Sequence, residues 1–480
     1  MGSKIIQDEI VEPVIGNFVK SLRDLGYTFE VAVADILDNC IAAESNDIKI
    51  LCLPEPSPIF GILDDGFGMT EKELVEAMRL AASDPDLVRG PNELGKFGLG
   101  LKTASFSQCK KLTVLSKKNN EHSIKQWDLE YISKKNKWLL RTINCESCEH
   151  FPLYQNFRMQ EHGTLVIWEN IDSFNSDDIP SKLSELRSHL SLVFHNFLEG
   201  KVSGRKKINV AVNQVDLEPF NPFNPNNKAT QEFQIEKIFH DGSEIIVQPY
   251  ILPHHSKMSP EEFDLYATED GYTKSQGFYL YREHRLLIHG TWWGLHKIND
   301  AHRLVRIKVD ISNSQDSDWG IDIKKSTARP TRAIRNDLQR IIQQVTVKGS
   351  RPFSGRGRKL STTNTTNIWD CIVKENNIRF VINQQHPLLI QLNNQLDDEQ
   401  RFNLEIYLAS LESYLPIETI VAQLQTNPHK VNQEFQISDE HLSMMIKQWK
   451  DNGISEEFIK SLLETEVFKT KGEILFDENQ

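Results

Sequence analysis

The sequence predicts an α+β fold, and three observations support this. Apolar residues in segment 33–41 recur close to every 3.6 positions, which is typical of a helix. Runs within segments 59–63 and 106–170 are continuously apolar or alternate with polar residues, as strands do. Residues 367–480 return to helical spacing. With 480 residues, the chain is long enough for two or three domains.

Composition limits the classes of protein to consider. No apolar run approaches the length of a membrane span, and the N-terminus MGSKII lacks an apolar signal core, so we expect a cytoplasmic protein. A net charge of −12 restricts any contact with DNA to a local patch. The six cysteines are scattered and predict no disulfide framework. Cys145, Cys148 and His150 suggest a zinc site, but the sequence offers no fourth ligand.

The first predicted helix carries a polar pair beside its apolar stripe. Asp35 and Asn39 are four residues apart and therefore share a face. An amide oxygen is a suitable Mg²⁺ ligand, and a nearby carboxylate can orient or deprotonate water. The alternative is an ordinary solvated helix face.

A glycine-containing turn follows the predicted strand 59–63. Asp64 stands at the strand end, where its carboxylate can accept a hydrogen bond from an exocyclic amine. Gly66 and Gly68 permit positive φ and close approach of the backbone to a ligand, and Met69 follows them. A plain Asp-Gly turn is the alternative.

A GxxGxG pattern formed by Gly95, Gly98 and Gly100 comes next. It is neither a Rossmann fingerprint, since no Val/Ile-rich strand precedes it, nor a Walker A loop, since Lys102 lies two residues after the last glycine. The glycines can present backbone N–H groups to phosphates at the start of a helix that contains Lys102 and Ser105. The polar residues before them, rich in Pro and Gly, predict a loop at about 83–100.

Together with Gly163-Thr164, these three motifs resemble the GHKL superfamily, which includes gyrase, Hsp90, MutL, histidine kinases and MORC proteins. The phrases GYTFEVAVADILDN and LGKFGLGLKTASFSQC are most similar to the MORC/MutL-like bacterial Hsp90-type ATPases. The resemblance implies a Bergerat-fold α/β sandwich over residues 1–200, an S5-like transducer domain over 201–345 and a helical C-terminal domain. It also implies ATP and Mg²⁺ as cofactors, and that the loop at about 83–100 is a lid that closes over nucleotide.

The resemblance implies a role for each matching residue. Asn39 would coordinate Mg²⁺, Asp64 would bind the adenine amine with Thr164 assisting through water, and Lys102 would meet the phosphates. The family usually has Glu as general base where this chain has Asp35, which is one methylene shorter, so we expect slow hydrolysis. The full predicted nucleotide site is Asn39, Asp64, Gly66, Gly68, Met69, Gly95, Phe97, Gly98, Leu99, Gly100, Leu101, Lys102 and Thr164.

The remaining segments of the first domain follow regular patterns. Thr70 and Glu73 form a candidate capping box. The runs LTVLS, IKQWDLEYI, KWLLRTI and TLVIWENI predict an antiparallel sheet, with Thr164 at the start of its last strand. A helix is expected at 177–199, ending at Gly200.

Residues 201–345 predict four strands and then a helix from about 330; the strand runs are KINVAVN, SEIIVQPYIL, GFYLYREHRLLI and RLVRIKVDI. Transducers of the resembled family send a lysine back to the γ-phosphate. Lys325 is the preferred candidate and Lys324 the alternative, because neighbours on a strand point in opposite directions. A solvated lysine pair on a loop stays open as the other explanation.

The C-terminal third divides into a linker and a predicted helical domain. Residues 346–366 are rich in Gly, Ser, Thr and Asn, which predicts a flexible linker. Basic residues concentrate in the segment 340–359, which suits either a DNA backbone or a solvated linker. Residues 367–480 predict helices for dimerisation or for docking a partner of a defence or restriction system.

Two functions remain open. One is an ATP-gated homodimeric clamp acting in antiphage defence, restriction or repair, and the other is a catalytically slow ATP-binding scaffold that recruits partners. A histidine kinase would need a phospho-acceptor histidine before the first motif, but the first histidine is His122. The short C-terminal region argues against an Hsp90-like chaperone.

Overall fold

A computed structural model describes residues 9, 14–24, 26–80, 100–240, 242–321, 327–349, 366–374, 377–426, 429–431, 438–451, 453–463, 465 and 468. The chain forms two compact units. The first comprises Met1–Pro253 with Leu265–Thr346, and the second comprises His254–Asp264 with Val347–Gln480. No helix within the described ranges is both long enough and apolar enough to cross a membrane.

The first unit begins with a mixed α/β layer structure. Its elements are α1 (Ile15–Arg23), α2 (Phe29–Ala42), β1 (Asp47–Leu53), β2 (Ile59–Asp64), α3 (Glu71–Met78), α4 (Gly100–Gln108), β3 (Cys109–Lys118), β4 (Glu121–Asp128), α5 (Leu129–Lys135), β5 (Arg141–Thr142), α6 (Tyr154–Met159), β6 (Gly163–Ile171), α7 (Ile179–Val193), α8 (His195–Leu198), β7 (Asn209–Val212) and β8 (Val215–Asp216). The eight strands form one sheet in the order β5-β4-β3-β6-β2-β1-β7-β8.

The sheet buries both faces because its central strands carry apolar residues at successive positions. Phe60 and Ile62 of β2 pack in the cluster that contains α2, α4 and α7. Leu63 points to the opposite face, where it packs with Phe151 and Phe157. The larger cluster supports α2, and this fixes the helix that carries Asp35 against the sheet.

Most sequence predictions for this region are confirmed. Strands β3, β4 and β6 pair antiparallel as expected. The capping box at Thr70 is present, with both of its hydrogen bonds to Glu73. Asp64 ends β2, and Thr164 is the second residue of β6.

Two predicted strands were wrong in extent. The run IKQWDLEYI stops being a strand at Asp128, whose side chain accepts a hydrogen bond from Tyr131 N at 3.0 Å and thereby caps α5. The run KWLLRTI contributes only the two residues of β5. The helix expected at 177–199 is split into α7 and α8 at Phe194.

The strand KINVAVN belongs to the first sheet, although it was assigned to the second domain. β7 pairs parallel with β1, from Asp47 opposite Asn209 to Ile50 opposite Val212. A strand that joins a sheet parallel to its neighbour must be reached by a crossover connection. Here the chain passes from β6 through α7 and α8 before it forms β7. Short-range patterns in the sequence do not show which sheet a strand joins.

A second sheet completes the first unit. Its elements are β9 (Gln231–Glu232), β10 (Glu236–His240), β11 (Ser243–Ile251), α9 (Pro260–Ala267, at the unit boundary), α10 (Gly271–Lys274), β12 (Gly277–Arg282), β13 (Arg285–Thr291), β14 (Val305–Ile311) and α11 (Arg332–Gly349). The strand order is β10-β11-β14-β12-β13, with β9 beside β11. The predicted strands SEIIVQPYIL and RLVRIKVDI and the following helix are therefore present. The run GFYLYREHRLLI was wrongly predicted as one strand, because it forms the antiparallel pair β12 and β13. α11 continues to Gly349, into the predicted linker, whose residues 350–365 lie outside the described ranges.

The second unit is not purely helical. It begins with a hairpin of β15 (Trp369–Lys374) and β16 (Asn377–Ile382), which the prediction of helices over 367–480 missed. The helices α12 (Pro387–Gln395), α13 (Asp398–Ser413), α14 (Ile417–Thr426), α15 (Asp439–Asp451) and α16 (Glu456–Leu463) follow. The hairpin strands are only six residues each, too short for alternation to separate them clearly from a helix.

Candidate functional site

α2 places two of the predicted site residues on adjacent turns. Thr28 caps the helix, and all residues from Ala32 to Asp38 are buried. The Asp35 side chain is 3% exposed, and its Oδ2 accepts a hydrogen bond from the Tyr27 hydroxyl at 3.2 Å. Asn39 is exposed, and its Nδ2 donates to the Asp35 carbonyl oxygen at 3.0 Å. Asp35 is therefore part of the interior, not of a solvated helix face.

A buried arginine from the second sheet reaches the same helix. Arg285, the first residue of β13, is 4% exposed. Its Nε lies 2.8 Å from Asp38 Oδ1 and its Nη2 lies 3.7 Å from Asp35 Oδ1. The guanidinium also lies over the Phe194 ring, 5.6 Å from the centroid. Sequence reasoning missed this residue, because a charge at a strand start gives no signal of a partner about 250 residues away.

Asp64 forms the centre of a second group of residues. It is 4% exposed at the end of β2, and its Oδ1 accepts a hydrogen bond from Gly66 N at 2.9 Å. Burial raises the pKa of Asp64 to about 6, against the lowering effect of hydrogen bonds from Gly66, the Cys40 thiol and the Thr164 main chain. Cys40 belongs to α2, so Asp64 lies against the helix that carries Asn39.

A hydroxyl network connects Asp64's neighbours. The Ser116 hydroxyl lies 2.9 Å from Thr164 Oγ1 and accepts a hydrogen bond from Met69 N at 2.9 Å. Thr164 stands opposite Asp64 in the pairing of β2 with β6. The network thus brings together three predicted residues, Asp64, Met69 and Thr164. Ser116, which links them, was not predicted, since a serine within a strand has no distinguishing pattern.

The glycines of the DDGFGM turn, and Gly163 beside it, stand where a larger side chain would collide with neighbouring atoms. A Cβ at Gly66 would lie 2.7 Å from the Ala43 carbonyl oxygen. Gly68 has φ of +66°, and a Cβ there would lie 1.9 Å from the Lys117 carbonyl oxygen. Gly163 has φ of +136° and would place a Cβ 2.2 Å from the Asp64 carbonyl oxygen. The turn is therefore held closely against β3 and β6.

We expect Gly68→Ala to lower the free energy of unfolding by about 2–3 kcal/mol, because both the positive φ and the Lys117 carbonyl oppose a methyl group. Gly204→Ala is the matched control: Gly204 has φ of +76°, but no atom within 4 Å of a Cβ, so the backbone term alone, about 1 kcal/mol, should remain. Urea denaturation measures both variants. Equal losses would show that the close approach contributes nothing.

α4 starts at Gly100 and brings the third motif toward the first. A Cβ at Gly100 would lie 3.8 Å from Asp35 Oδ2, so the helix start adjoins this carboxylate. Leu101 is half-buried and packs on the main core. The Lys102 ammonium is buried and donates to the Ala77 carbonyl oxygen at 2.8 Å, and burial lowers its pKa to about 8. Its role toward phosphates stays a prediction.

Several predicted residues fall outside the described ranges. These are most of the loop expected at about 83–100 and both transducer lysines, that is Gly95, Phe97, Gly98, Leu99, Lys324 and Lys325. Within the described residues, no group of three or more His, Cys, Asp or Glu side chains could hold a metal ion, including Cys145, Cys148 and His150. Of the basic segment 340–359, Arg340 forms an ion pair with Glu236 at 2.7 Å.

Comparison with known proteins identifies the family of the segment that contains these residues. Residues 27–164 match the family model described as "Histidine kinase-, DNA gyrase B-, and HSP90-like ATPase". The matched range begins at Tyr27, ends at Thr164 and contains Asp35, Asn39 and Asp64. No curated protein matches the chain. Residues 27–164 are therefore an ATPase domain of this superfamily, and this supports ATP binding. The MORC/MutL-like branch stays a prediction.

Proposed function

We propose that this protein binds ATP in its first domain, between α2, the DDGFGM turn and the start of α4, and hydrolyses it slowly with Mg²⁺. The observation that carries the proposal is the buried carboxylate of Asp64 at a strand end. Beside it lies a turn whose glycines leave no room for a Cβ atom. A fixed acceptor of this kind suits the exocyclic amine of adenine. Thr164 and Ser116 supply further polar groups beside it.

The donor set on α2 fits a magnesium–phosphate group. Asn39 is exposed, and its side-chain nitrogen donates a hydrogen bond to the Asp35 carbonyl oxygen. Its amide oxygen is then available as a ligand of the kind that Mg²⁺ prefers. When bound, Mg²⁺ would neutralise charge on the phosphates. The described residues contain no all-protein metal cage, which accords with an ion held mainly by nucleotide oxygens and water.

Asp35 is the proposed general base. It adjoins Gly100, where the backbone N–H groups at the start of α4 suit phosphate oxygens. The Tyr27 hydroxyl and Arg285 both contact its carboxylate and fix its direction. An aspartate reaches one methylene less far than the family's usual glutamate, and a carboxylate held by two partners cannot readily shift to compensate. Slow turnover follows from this geometry.

ATP turnover tests this proposal directly. We expect Asp35→Asn to reduce kcat about 100-fold with little change in ATP affinity, because general base catalysis contributes at least this much. Asn39→Ala should weaken Mg·ATP binding and turnover together. Asp177→Asn, at an exposed aspartate, is the control and should match the wild type. Wild-type turnover that persists in Asp35→Asn would exclude Asp35 as the base.

The wider proposal is a nucleotide-gated homodimeric clamp related to MORC and MutL proteins, acting on DNA in defence, restriction or repair. Differential affinity of ATP for a closed dimer would couple nucleotide to assembly. The segment 340–359 supplies the candidate DNA contact. In the second unit, α13 leaves Phe402, Ile406 and Tyr407 each more than half exposed, which supports a docking role for these helices.

A slow ATP-binding scaffold is the second candidate, and the restrained Asp35 favours it. Molar mass measured with and without a non-hydrolysable ATP analogue separates the two, alongside turnover with and without duplex DNA. ATP-dependent doubling of mass with DNA-stimulated turnover supports the clamp. Doubling without turnover supports the scaffold. ATP binding with neither change would leave the ATPase domain intact but reject both assemblies.

A further inference from the structure

A cysteine–histidine pair lies on the first unit, in a cavity of about 340 Å³ separate from the proposed ATP site. Cys145 and Cys148 occupy a 3-10 turn, Cys145–Cys148, and His122 reaches them from β4. His122 Nε2 lies 2.9 Å from Cys145 Sγ. The sequence had suggested His150 as the histidine of this cluster, but His150 instead lies 3.9 Å from Glu169.

The contact with His122 gives Cys145 the environment of a nucleophilic thiol. An imidazole at hydrogen-bond distance can take the thiol proton and then stabilise the thiolate as an imidazolium. Cys145 is partly exposed and His122 is exposed, so small reagents can reach the sulfur. The other charged groups that line the cavity are Lys117, Glu146, Glu149 and Arg158.

Three of those four charged groups, Lys117, Glu149 and Arg158, contact groups other than the Cys145 sulfur. Arg158 forms an ion pair with Glu149 at 3.5 Å, and the Lys117 ammonium donates to the Gln160 carbonyl oxygen at 2.6 Å. The Tyr154 hydroxyl donates to the Cys145 carbonyl oxygen at 3.3 Å and so holds the turn in place. His122 is therefore the described group that contacts the Cys145 sulfur directly.

Cys148 is placed to react with Cys145 in a second step. Residues three apart in a 3-10 helix lie on the same side, about 6 Å apart along the axis, which is within the Cα separation of disulfides. Cys148 is fully buried, and burial raises the pKa of its thiol to about 11. The two thiols thus differ: one is accessible and paired with a base, and the other is protected and protonated.

We propose that Cys145 is a peroxide-reactive thiol activated by His122, and that Cys148 resolves its oxidised form as a disulfide. The Cys145 thiolate attacks one oxygen of the peroxide, the O–O bond breaks, and the proton held by His122 passes to the leaving oxygen, giving a sulfenic acid and water. The Cys148 sulfur then displaces the sulfenic hydroxyl, forming the S–S bond and releasing a second water. Together the two thiols lose two electrons, and these reduce one hydrogen peroxide to two waters.

The chain contains its own reference thiol for a test. Cys371 is exposed on β15, and no described histidine contacts its sulfur. We expect iodoacetamide at pH 7 to alkylate Cys145 at least tenfold faster than Cys371 in the reduced full-length protein, measured by peptide mass spectrometry. His122→Asn should bring the Cys145 rate to that of Cys371. His150→Asn is the matched control and should leave it unchanged. Equal rates for the two thiols in the wild type would overturn the proposal without any variant.

Hydrogen peroxide tests the second step. In the wild type, limiting peroxide should yield a linked Cys145–Cys148 peptide that dithiothreitol reverses. In Cys148→Ser, dimedone should trap a sulfenic acid at Cys145. Oxidation of Cys371 ahead of Cys145, or a wild-type product without the linked peptide, would reject the assignment of the pair.

Discussion

Asp64→Asn should abolish tight ATP binding and, at the same time, stabilise the nucleotide-free protein above pH 6. The first effect follows from the proposed role of Asp64 as the carboxylate acceptor for the adenine amine, which the variant replaces with a neutral amide. Hydrogen bonds to charged groups contribute about 1.5–3 kcal/mol, so affinity should fall about 10- to 100-fold. Isothermal titration calorimetry with ATP measures this loss.

The stabilising effect follows from the pKa of Asp64. Burial raises that pKa from 3.8 to about 6. A raised pKa in the folded state means that the contribution of the group to stability is complete below about pH 4 and is lost as the pH rises through 6. A shift of about two units corresponds to roughly 3 kcal/mol at neutral pH. Asparagine, which carries no charge, avoids this loss and can still accept from Gly66 N.

Thermal melts at pH 5 and pH 7.5 separate the pH-dependent cost of ionising Asp64 from any pH-independent effect of the substitution. The variant should gain over the wild type at pH 7.5 and gain much less at pH 5. Asp65→Asn is the control with the opposite sign. Burial would raise the pKa of Asp65, but hydrogen bonds from Asp47 N, Ser45 and Asn46 N outweigh it and lower the pKa. That variant should therefore lose stability. A pH-independent gain for Asp64→Asn would contradict our account.

Arg285→Ala should reduce the free energy of unfolding by about 3–5 kcal/mol. The guanidinium, 4% exposed, lies between two aspartates that are 3% and 1% exposed. Its removal takes away a cation that lies beside both buried carboxylates, and removing one partner of a buried ion pair is among the most destabilising single-residue changes. Guanidinium chloride unfolding at pH 7 measures the change.

A surface ion pair provides the control for Arg285. Lys118 binds Glu73 at 2.9 Å, with the two side chains 29% and 50% exposed, so Lys118→Ala should change stability by less than about 1 kcal/mol. Arg285→Lys should recover part of the loss because it restores a cation. It should not recover all of it, because a lysine ammonium cannot reproduce the two separate guanidinium nitrogens that contact Asp35 and Asp38. If Arg285→Ala lowers the free energy of unfolding no more than Lys118→Ala does, the ion pairs of Arg285 do not stabilise the packing of the second sheet against α2.

Arg285 also bears on the proposed reaction. It contacts the candidate base from the second sheet, and Asp35 also accepts a hydrogen bond from the Tyr27 hydroxyl. Movement of β13 would therefore alter the direction of the Asp35 carboxylate. This gives a physical route by which the second sheet can influence turnover even though Lys324 and Lys325 lie outside the described residues.

The local features of the nucleotide site could be predicted from the sequence. The position of Asp64 at a strand end, the start of α4 at Gly100, the Thr70 capping box and Thr164 at the start of β6 all follow from short patterns. Each depends on residues within one element or its cap, where periodicity and hydrogen bonding by near neighbours dominate. The family match over residues 27–164 agrees with that prediction.

Only the tertiary structure decided which groups surround those residues. Arg285, Tyr27 and Ser116 contact site residues through pairings that no local pattern encodes, and β7 joins the first sheet through a parallel crossover. His122, and not His150, contacts Cys145 because β4 begins beside the 3-10 turn. The sequence by itself determined the local elements that carry the residues we propose to bind ATP. Their burial, ion pairs and pKa values were decided by packing, because desolvation and electrostatic contact depend on neighbours distant in the chain.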